Sequence, residues 1–418
     1  MGEYSRHKTS ALGKFDDARF RTIDVRNVKR GVATVGNVED VRAWSGIPFH
    51  FWKASKAVGF ASEAWQLNLA RVRLQRYAWN IWQLLCFRGL GGFQYSNWFL
   101  DLAEGQITDQ MKSMEVISFN QHFPRASRIL GLGGRISYFI DAPFVSLVEG
   151  YGLTKRLPRR VIGNAIALEK ANYAAADRVI TMARWAADVL LNQYGIPPSR
   201  VHIVLPGANL TLAAGWEFPK LSGRAGKERD FVLGFVGNNW RRKGLPFVVS
   251  VRDCLASRGW RVRVLVIGNA PTELRQNNGI DFAGHLDKRN KSETFNELLA
   301  SCDMGCLFSD HEALGVSILE FLRCGVPVLG FAHEGMADTL PPDAGFRFTI
   351  MDSPEVISEQ LETYLRDEAM QFRFRANAQR WSPLLTWERC VDELIELWTT
   401  GSVARPVRPW LGLPSSAT

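Results

Sequence analysis

Two short segments in the C-terminal half carry side chains suited to gripping an anionic, hydroxyl-rich ligand. Gly237-Asn238-Asn239-Trp240-Arg241-Arg242-Lys243-Gly244 follows the apolar run Phe231–Val236 and sets two cations behind a glycine turn. Gly237 has no Cβ, so a tight turn and close approach by a ligand are both open to it. A guanidinium and an ammonium at Arg242 and Lys243 would offset charge that grows on a departing diphosphate. Taken alone, Arg241–Lys243 reads equally well as an exposed basic loop.

Glu312-Ala313-Leu314-Gly315-Val316-Ser317-Ile318-Leu319-Glu320 is sharper. A helix beginning near Leu314 leaves Glu312 in the preceding loop and Glu320 about one and a half turns inside. Free N–H groups at Leu314, Gly315 and Val316 would then favour an anion. Glu312 would accept from sugar hydroxyls and Glu320 from a ribose diol. Two glutamates at this spacing often arise by chance. The order strand, loop, glutamate, glycine, apolar helix and Cys324-Gly325-Val326-Pro327 stop favours a site. His285 and Lys288, after Phe282-Ala283-Gly284, are nucleobase-side candidates, although a lone histidine there is more often merely exposed. In the N-terminal half Asp141 follows the run Ile136–Ile140 at a strand's carboxyl end, where catalytic groups concentrate. Asp-Ala-Pro is also ordinary turn chemistry. Asn120 and His122 follow Val116–Phe119 in the same way and rank below it as acceptor-side candidates.

The elements that must position these groups alternate. Short apolar runs at Val32–Val35, Val116–Phe119, Ile136–Ile140, Val179–Thr181 and Val201–Val204 are separated by helical stretches such as Val161–Ala176 and Ala183–Gln193. The rhythm restarts at Phe231–Val236, Val262–Ile267, Met304–Phe308 and Val326–Phe331. Strand alternating with helix predicts parallel βαβ units. The expected fold class is α/β with two Rossmann-like doubly wound domains facing across a cleft. Residues 1–212 form the first, 213–392 the second, with a linker near 212–228, and a tail at 393–418 packs back on the first domain. Ser45-Gly46-Ile47-Pro48 reads as a helix start. Ligands of such sheets bind beyond the strands' carboxyl ends, so the cleft is the expected site.

A chain of 418 residues with 46% hydrophobic and 22% charged residues is globular and too long for one core. Residues 1–210 hold 27 Lys and Arg against 16 Asp and Glu, a net of +11, and the remainder nets −2. That asymmetry suits an anionic surface or acceptor as well as a generally basic solvated face. Aromatics are dense from Trp44 to Phe99 and are interleaved with Arg71, Arg73, Arg76 and Arg88. Peripheral membrane contact and ordinary core packing are the two readings of that stretch. No recognised nucleic-acid motif accompanies the charge. Six cysteines without a Cys-x-x-Cys pair point to a reducing compartment and no zinc. The polar stretch through Arg30 contains no signal peptide, and no run is long enough to span a bilayer. The expected location is cytoplasmic, with association at the cytoplasmic membrane face if the aromatic stretch is interfacial. No Asp-x-Asp occurs, so neutralisation of a diphosphate is expected from Arg242, Lys243 and a helix dipole, without a metal cofactor.

Over residues ~165–400 the chain resembles the retaining glycosyltransferases of family 4, which have the GT-B fold. Ala176-Asp177-Arg178-Val179-Ile180-Thr181, Tyr194-Gly195-Ile196, Leu205-Pro206-Gly207-Ala208-Asn209, Arg242-Lys243-Gly244 and Glu312…Glu320 fall in that family's order. The resemblance implies a nucleotide-sugar donor whose diphosphate is held by Arg242 and Lys243, with Glu312 on the sugar and Glu320 on the ribose. It also implies transfer to an acceptor hydroxyl with retention and no protein nucleophile. Asn238 stands where many members have arginine, and Asp141 stands where many have histidine. Ser45-Gly46 takes the place of a Gly-Gly loop near acceptor and phosphates. The acceptor stays open: saccharide, lipid-linked or small molecule. A phosphorylase, a nucleotide-sugar epimerase or a non-catalytic binding homologue are the competing readings.

Overall fold

The computed structural model describes residues 28–87, 90–218 and 230–403. The polar N-terminal segment, most of the expected linker, Arg88 and the end of the tail lie outside the described residues.

The first domain contains β1 (Arg30–Ala33), β2 (Glu63–Ala64), β3 (Glu115–Ser118), β4 (Arg135–Ile140), β5 (Arg178–Thr181) and β6 (Val201–Ile203). They form one parallel sheet in the order β2-β1-β3-β4-β5-β6. Between them run α1 (Ile47–Ala57), α2 (Arg73–Phe87), α3 (Asn97–Gly105), α4 (Ala126–Gly131), α5 (Phe144–Gly150), α6 (Arg159–Ala175) and α7 (Arg184–Asn192). The second domain has β7 (Phe231–Gly237), β8 (Val262–Gly268), β9 (Ile280–Gly284), β10 (Met304–Leu307), β11 (Val328–Phe331) and β12 (Gly345–Phe348). Its order is β12-β11-β10-β7-β8-β9, again parallel. Its helices are α8 (Leu245–Ser257), α9 (Thr272–Arg275), α10 (Ser292–Ser301), α11 (Val316–Arg323), α12 (Met336–Thr339), α13 (Pro354–Arg366), α14 (Glu368–Trp381) and α15 (Trp387–Thr400).

Helices cover both faces of a parallel sheet, so its central strands are buried along their length. β3 and β10 are accordingly buried at every residue. In the second domain two strand glycines let a helix come close. A Cβ on Gly305 would meet the Phe321 ring at 2.2 Å and one on Gly234 would meet it at 2.7 Å, so α11 settles directly on β7 and β10. This close seating fixes the amino end of α11 beside the carboxyl end of β7.

The chain returns to the first domain through α15, which packs on α1, and just ahead of it the Leu385 carbonyl accepts from the Ala208 N–H at 3.0 Å. Phe51 of α1 meets Trp387 with ring centroids 6.3 Å apart, and Phe60 meets Trp398 at 5.5 Å. The Trp398 indole donates to Glu115, which is itself paired with buried Arg30. A second tie crosses the cleft. Asp338 of α12 accepts from the backbone N–H groups of Arg184 and Trp185, at 2.5 and 3.4 Å, capping the amino end of α7 from the other domain.

Candidate functional site

Between the domains lies a cavity of about 430 Å³ at the carboxyl ends of β7, β8 and β9. From the second domain it takes Gly237, Asn238, Arg242, Lys243, His285, Lys288, Val316, Ser317 and Glu320; the first domain contributes Val41, Arg42 and Ser45.

The cations are placed by the turn after β7. A Cβ at Gly237 would lie 2.4 Å from the Lys243 side chain, so the missing methyl is what lets the lysine stem cross the strand end. Lys243 Nζ then reaches Glu312 Oε2 at 3.3 Å, and Arg242 reaches the same oxygen at 3.1 Å. Ser309 donates to it as well, at 3.2 Å. All three bonds fall on Oε2 and none on Oε1, which leaves one carboxylate oxygen to accept from a ligand. Burial alone would raise the Glu312 carboxyl; Lys243 and Arg242 together outweigh it and hold it below the ordinary range. Arg242 also donates to the His311 carbonyl at 2.5 Å. The Glu312 loop is braced by Glu334, whose carboxylate accepts from the Glu312 N–H at 2.8 Å and from His311 Nδ1 at 2.9 Å.

α11 starts at Val316, two residues later than the sequence predicts, because Gly315 adopts a left-handed φ of 75° as its cap. Leu314 is 2% exposed and belongs to the core, so its side chain does not line the cavity. At its amino end the residues that line the cavity are Val316 and Ser317. The Ser317 hydroxyl lines the cavity and is buried without a partner. Glu320 lies about one turn into the helix, 3% exposed, and is ion-paired with Lys288. Lys288 also donates to the Asn209 carbonyl at 3.3 Å and sits 4.2 Å over the Phe295 ring. His285 is exposed at the cavity rim, its Nδ1 3.3 Å from the Asn238 amide oxygen.

From the other domain, Trp44, Ser45 and Gly46 all hold left-handed backbone, with φ of 49°, 57° and 90°. Two consecutive non-glycine residues in that region mark a loop held by its surroundings. Asn209 donates to the Ser45 carbonyl at 2.8 Å. Ser45 lines the cavity; Gly46 is buried behind it against Val41. Asp141, at the end of β4, accepts from the Ala142 N–H at 2.8 Å. Burial pushes its carboxyl up to about 6 against the pull of two backbone N–H groups, and the neighbouring Glu312 charge adds to the rise. Tyr151 joins them: Arg242 lies 4.7 Å over its ring, and burial, then Glu312, raises its hydroxyl. Asp141 and Tyr151 of one domain thus face Arg242 and Glu312 of the other.

His122 and Asn120 do not join that group. His122 is 2% exposed, edge-on to Tyr95 and Phe144, with Nε2 3.1 Å from the Ala165 carbonyl. Burial lowers it to about 4, so it is a neutral core histidine. Asn120 spends its side-chain oxygen on the N–H groups of His122 and Phe123. Both are turn and core residues, a correction to the acceptor-side expectation. Sequence reasoning missed Ser317, Tyr151, Glu334 and Asp338. Ser317 was legible as a small polar residue in the first turn of a helix whose amino end lines the cavity; the other three carry no local signal.

Two parallel six-stranded sheets facing across a cleft are the GT-B plan. Residues 230–367 match the family model described as Glycosyl transferases group 1. It is 25% identical over 303 residues to D-inositol 3-phosphate glycosyltransferase 1 of Catenulispora acidiphila, a match spanning 66% of this chain and 72% of the relative. With D-inositol 3-phosphate glycosyltransferase of Salinispora arenicola it shares 25% over 261 residues, 57% of each chain, so it spans little more than half of that relative. Sucrose-phosphate synthase from Thermosynechococcus elongatus has the same fold, with a TM-score of 0.64 at 14% identity, covering 89% of this chain and 98% of that one. Anabaena Alr3699/HepE, solved with UDP and glucose, superposes with a TM-score of 0.58 at 14% identity, covering 89% and 99%.

Proposed function

We propose that this glycosyltransferase moves a sugar from a nucleotide-diphosphate donor to an acceptor hydroxyl, with retention of configuration and without a metal. The carrying observation is convergence on one cavity: Arg242, Lys243 and the amino end of α11 at one end, with Glu320 and Lys288 at the other. The first set suits a diphosphate. The free Oε1 of Glu312 suits a sugar hydroxyl, and Glu320 suits a ribose diol once Lys288 yields or shares it. The HepE neighbour was solved with UDP-glucose, a donor of this chemistry, and with UDP, the leaving group that such a donor releases.

Charge that develops on the leaving diphosphate is met by Arg242, Lys243 and the N–H groups of Val316 and Ser317, preorganised in a site closed by two domains. No side chain need form a covalent intermediate: a departing phosphate oxygen can take the acceptor proton on the same face, with Asp141 and Tyr151 positioning the acceptor beside Glu312. A retaining transferase for a surface polysaccharide, glycolipid or glycoconjugate is the reading these features favour.

A thermal-shift panel of UDP-, GDP- and ADP-sugars, followed by product analysis with donor alone and donor plus acceptor, tests it. Stabilisation by at least one nucleotide sugar, and transfer undiminished by EDTA with the anomeric configuration kept, are expected. Failure to bind any of them would remove the donor assignment. Turnover of donor alone would favour an epimerase.

A further inference from the structure

α2 is built inside out for a helix on a water-soluble domain. Leu74, Tyr77, Ile81, Leu84 and Leu85 recur at helical spacing and, with Trp82, form one apolar arc. That arc faces outward: Leu74 and Leu85 are each 78% exposed and Ile81 60%. The opposite face carries the polar groups and turns toward the protein. Gln83 is 2% exposed, and Trp79 donates its indole N–H to the Gly91 carbonyl at 2.8 Å while packing on Phe93. A surface helix ordinarily does the reverse. Trp98, exposed and edge-on to Phe93, extends the apolar surface beyond the helix.

Charge identifies what covers this face. Arg71, Arg73 and Arg76 are exposed. The guanidinium carbons of Arg73 and Arg76 lie 5.8 and 5.9 Å from the Tyr77 ring, along the edge of the apolar arc. Arg160 borders Trp82 on the other side. Between Glu63 and Asp101 the sequence holds four arginines and no acid. A second copy docked two-fold on this surface would set the same arginines near their own images with no carboxylate between them. A layer that is apolar inside and anionic at its rim matches both parts of the pattern.

We propose that α2 docks this protein on an anionic lipid bilayer, with the Leu74–Leu85 arc in the acyl boundary and Arg73 and Arg76 at the headgroups. The proposal stands apart from the donor assignment, because vesicle partition is read without turnover. The full chain is floated with phosphatidylcholine vesicles and with vesicles of equal parts phosphatidylcholine and phosphatidylglycerol. It should partition onto the anionic vesicles, and salt of about 1 M, where the Debye length is about 3 Å, should release most of it. Leu74→Glu with Leu85→Glu should cut partition by about tenfold or more. Arg73→Gln with Arg76→Gln should cut it on the order of twentyfold on anionic vesicles only. Both pairs are solvent-exposed, so circular dichroism and melting temperature should match the wild type. Absence from anionic vesicles, or binding indifferent to Leu74→Glu and Leu85→Glu, would overturn the proposal. So would a dimer that those two substitutions dissolve, which would hand the face to a second copy.

Discussion

On the proposed reading Glu312 competes with a nucleoside diphosphate for Arg242 and Lys243, and its neutral isostere should reveal this. The carboxylate lies 3.1 Å from Arg242 and 3.3 Å from Lys243, 8% exposed. A phosphate oxygen on the far side of Lys243 Nζ would sit roughly 6 Å from that carboxylate. At an effective dielectric of about 20, one pair of like charges at about 6 Å repels by about 3 kcal/mol. Screening and side-chain adjustment reduce the figure. Glu312→Gln keeps the shape, removes the repulsion and leaves both cations to the diphosphate. The expectation is about ten- to hundredfold tighter binding of whichever nucleoside diphosphate the wild type prefers, together with near-complete loss of transfer. Isothermal titration calorimetry reads the first and initial rates the second. The unliganded variant should also be less stable, because two partly buried cations lose their counter-ion. Weaker nucleoside diphosphate binding by Glu312→Gln would show that the carboxylate assembles the phosphate site rather than opposing the phosphate.

Three further outcomes follow from the geometry. Asp141 has a folded pKa raised from 3.8 to about 6, so its contribution to stability is fully present below about pH 4 and is lost as pH rises through about 6. At about 1.4 kcal/mol per pH unit the loss approaches 3 kcal/mol, and Asp141→Asn should flatten the fall in melting temperature between pH 4 and pH 8; an unchanged slope would contradict the burial assigned to it. Ser317→Ala should weaken nucleoside diphosphate binding by about five- to tenfold while leaving the unliganded melting temperature unchanged or higher, since its hydroxyl is buried without a hydrogen-bond partner. Asp338→Ala removes a cap that one domain lends to the other's helix and should cost about 1 kcal/mol in denaturant unfolding. Because that tie spans the cleft, the donor KM should shift too, and a KM equal to that of the wild type would confine Asp338 to stability.

The strands and the two glutamates were legible because their signals are local. A parallel strand covered on both sides is mostly apolar, so Phe231–Val236 and Ile136–Ile140 declare themselves wherever the chain later puts them. Glu312 and Glu320 were readable from the glycine and apolar helix between them, and Lys243 from the glycine turn ahead of it. The start of α11 was misplaced by two residues because Gly315 takes left-handed backbone, which the residue type permits and only the surrounding structure imposes. His122 looked like Asp141 in sequence, each just beyond a strand. Packing against Tyr95 and Phe144 sends one ring into the core, while Asp141 comes to lie beside Glu312.

Some arrangements arise only from long-range packing. Tyr151 under Arg242, Glu334 behind Glu312 and Asp338 on α7 join residues far apart in the chain, and nothing near any of them announces its partner. For α2 the sequence determined that one arc is apolar and its margin cationic, since side-chain identity and helical period suffice for that. Which arc meets the protein depends on what the neighbouring surface can accept. Here Trp79 and Gln83 are taken inward and the leucines are left facing out.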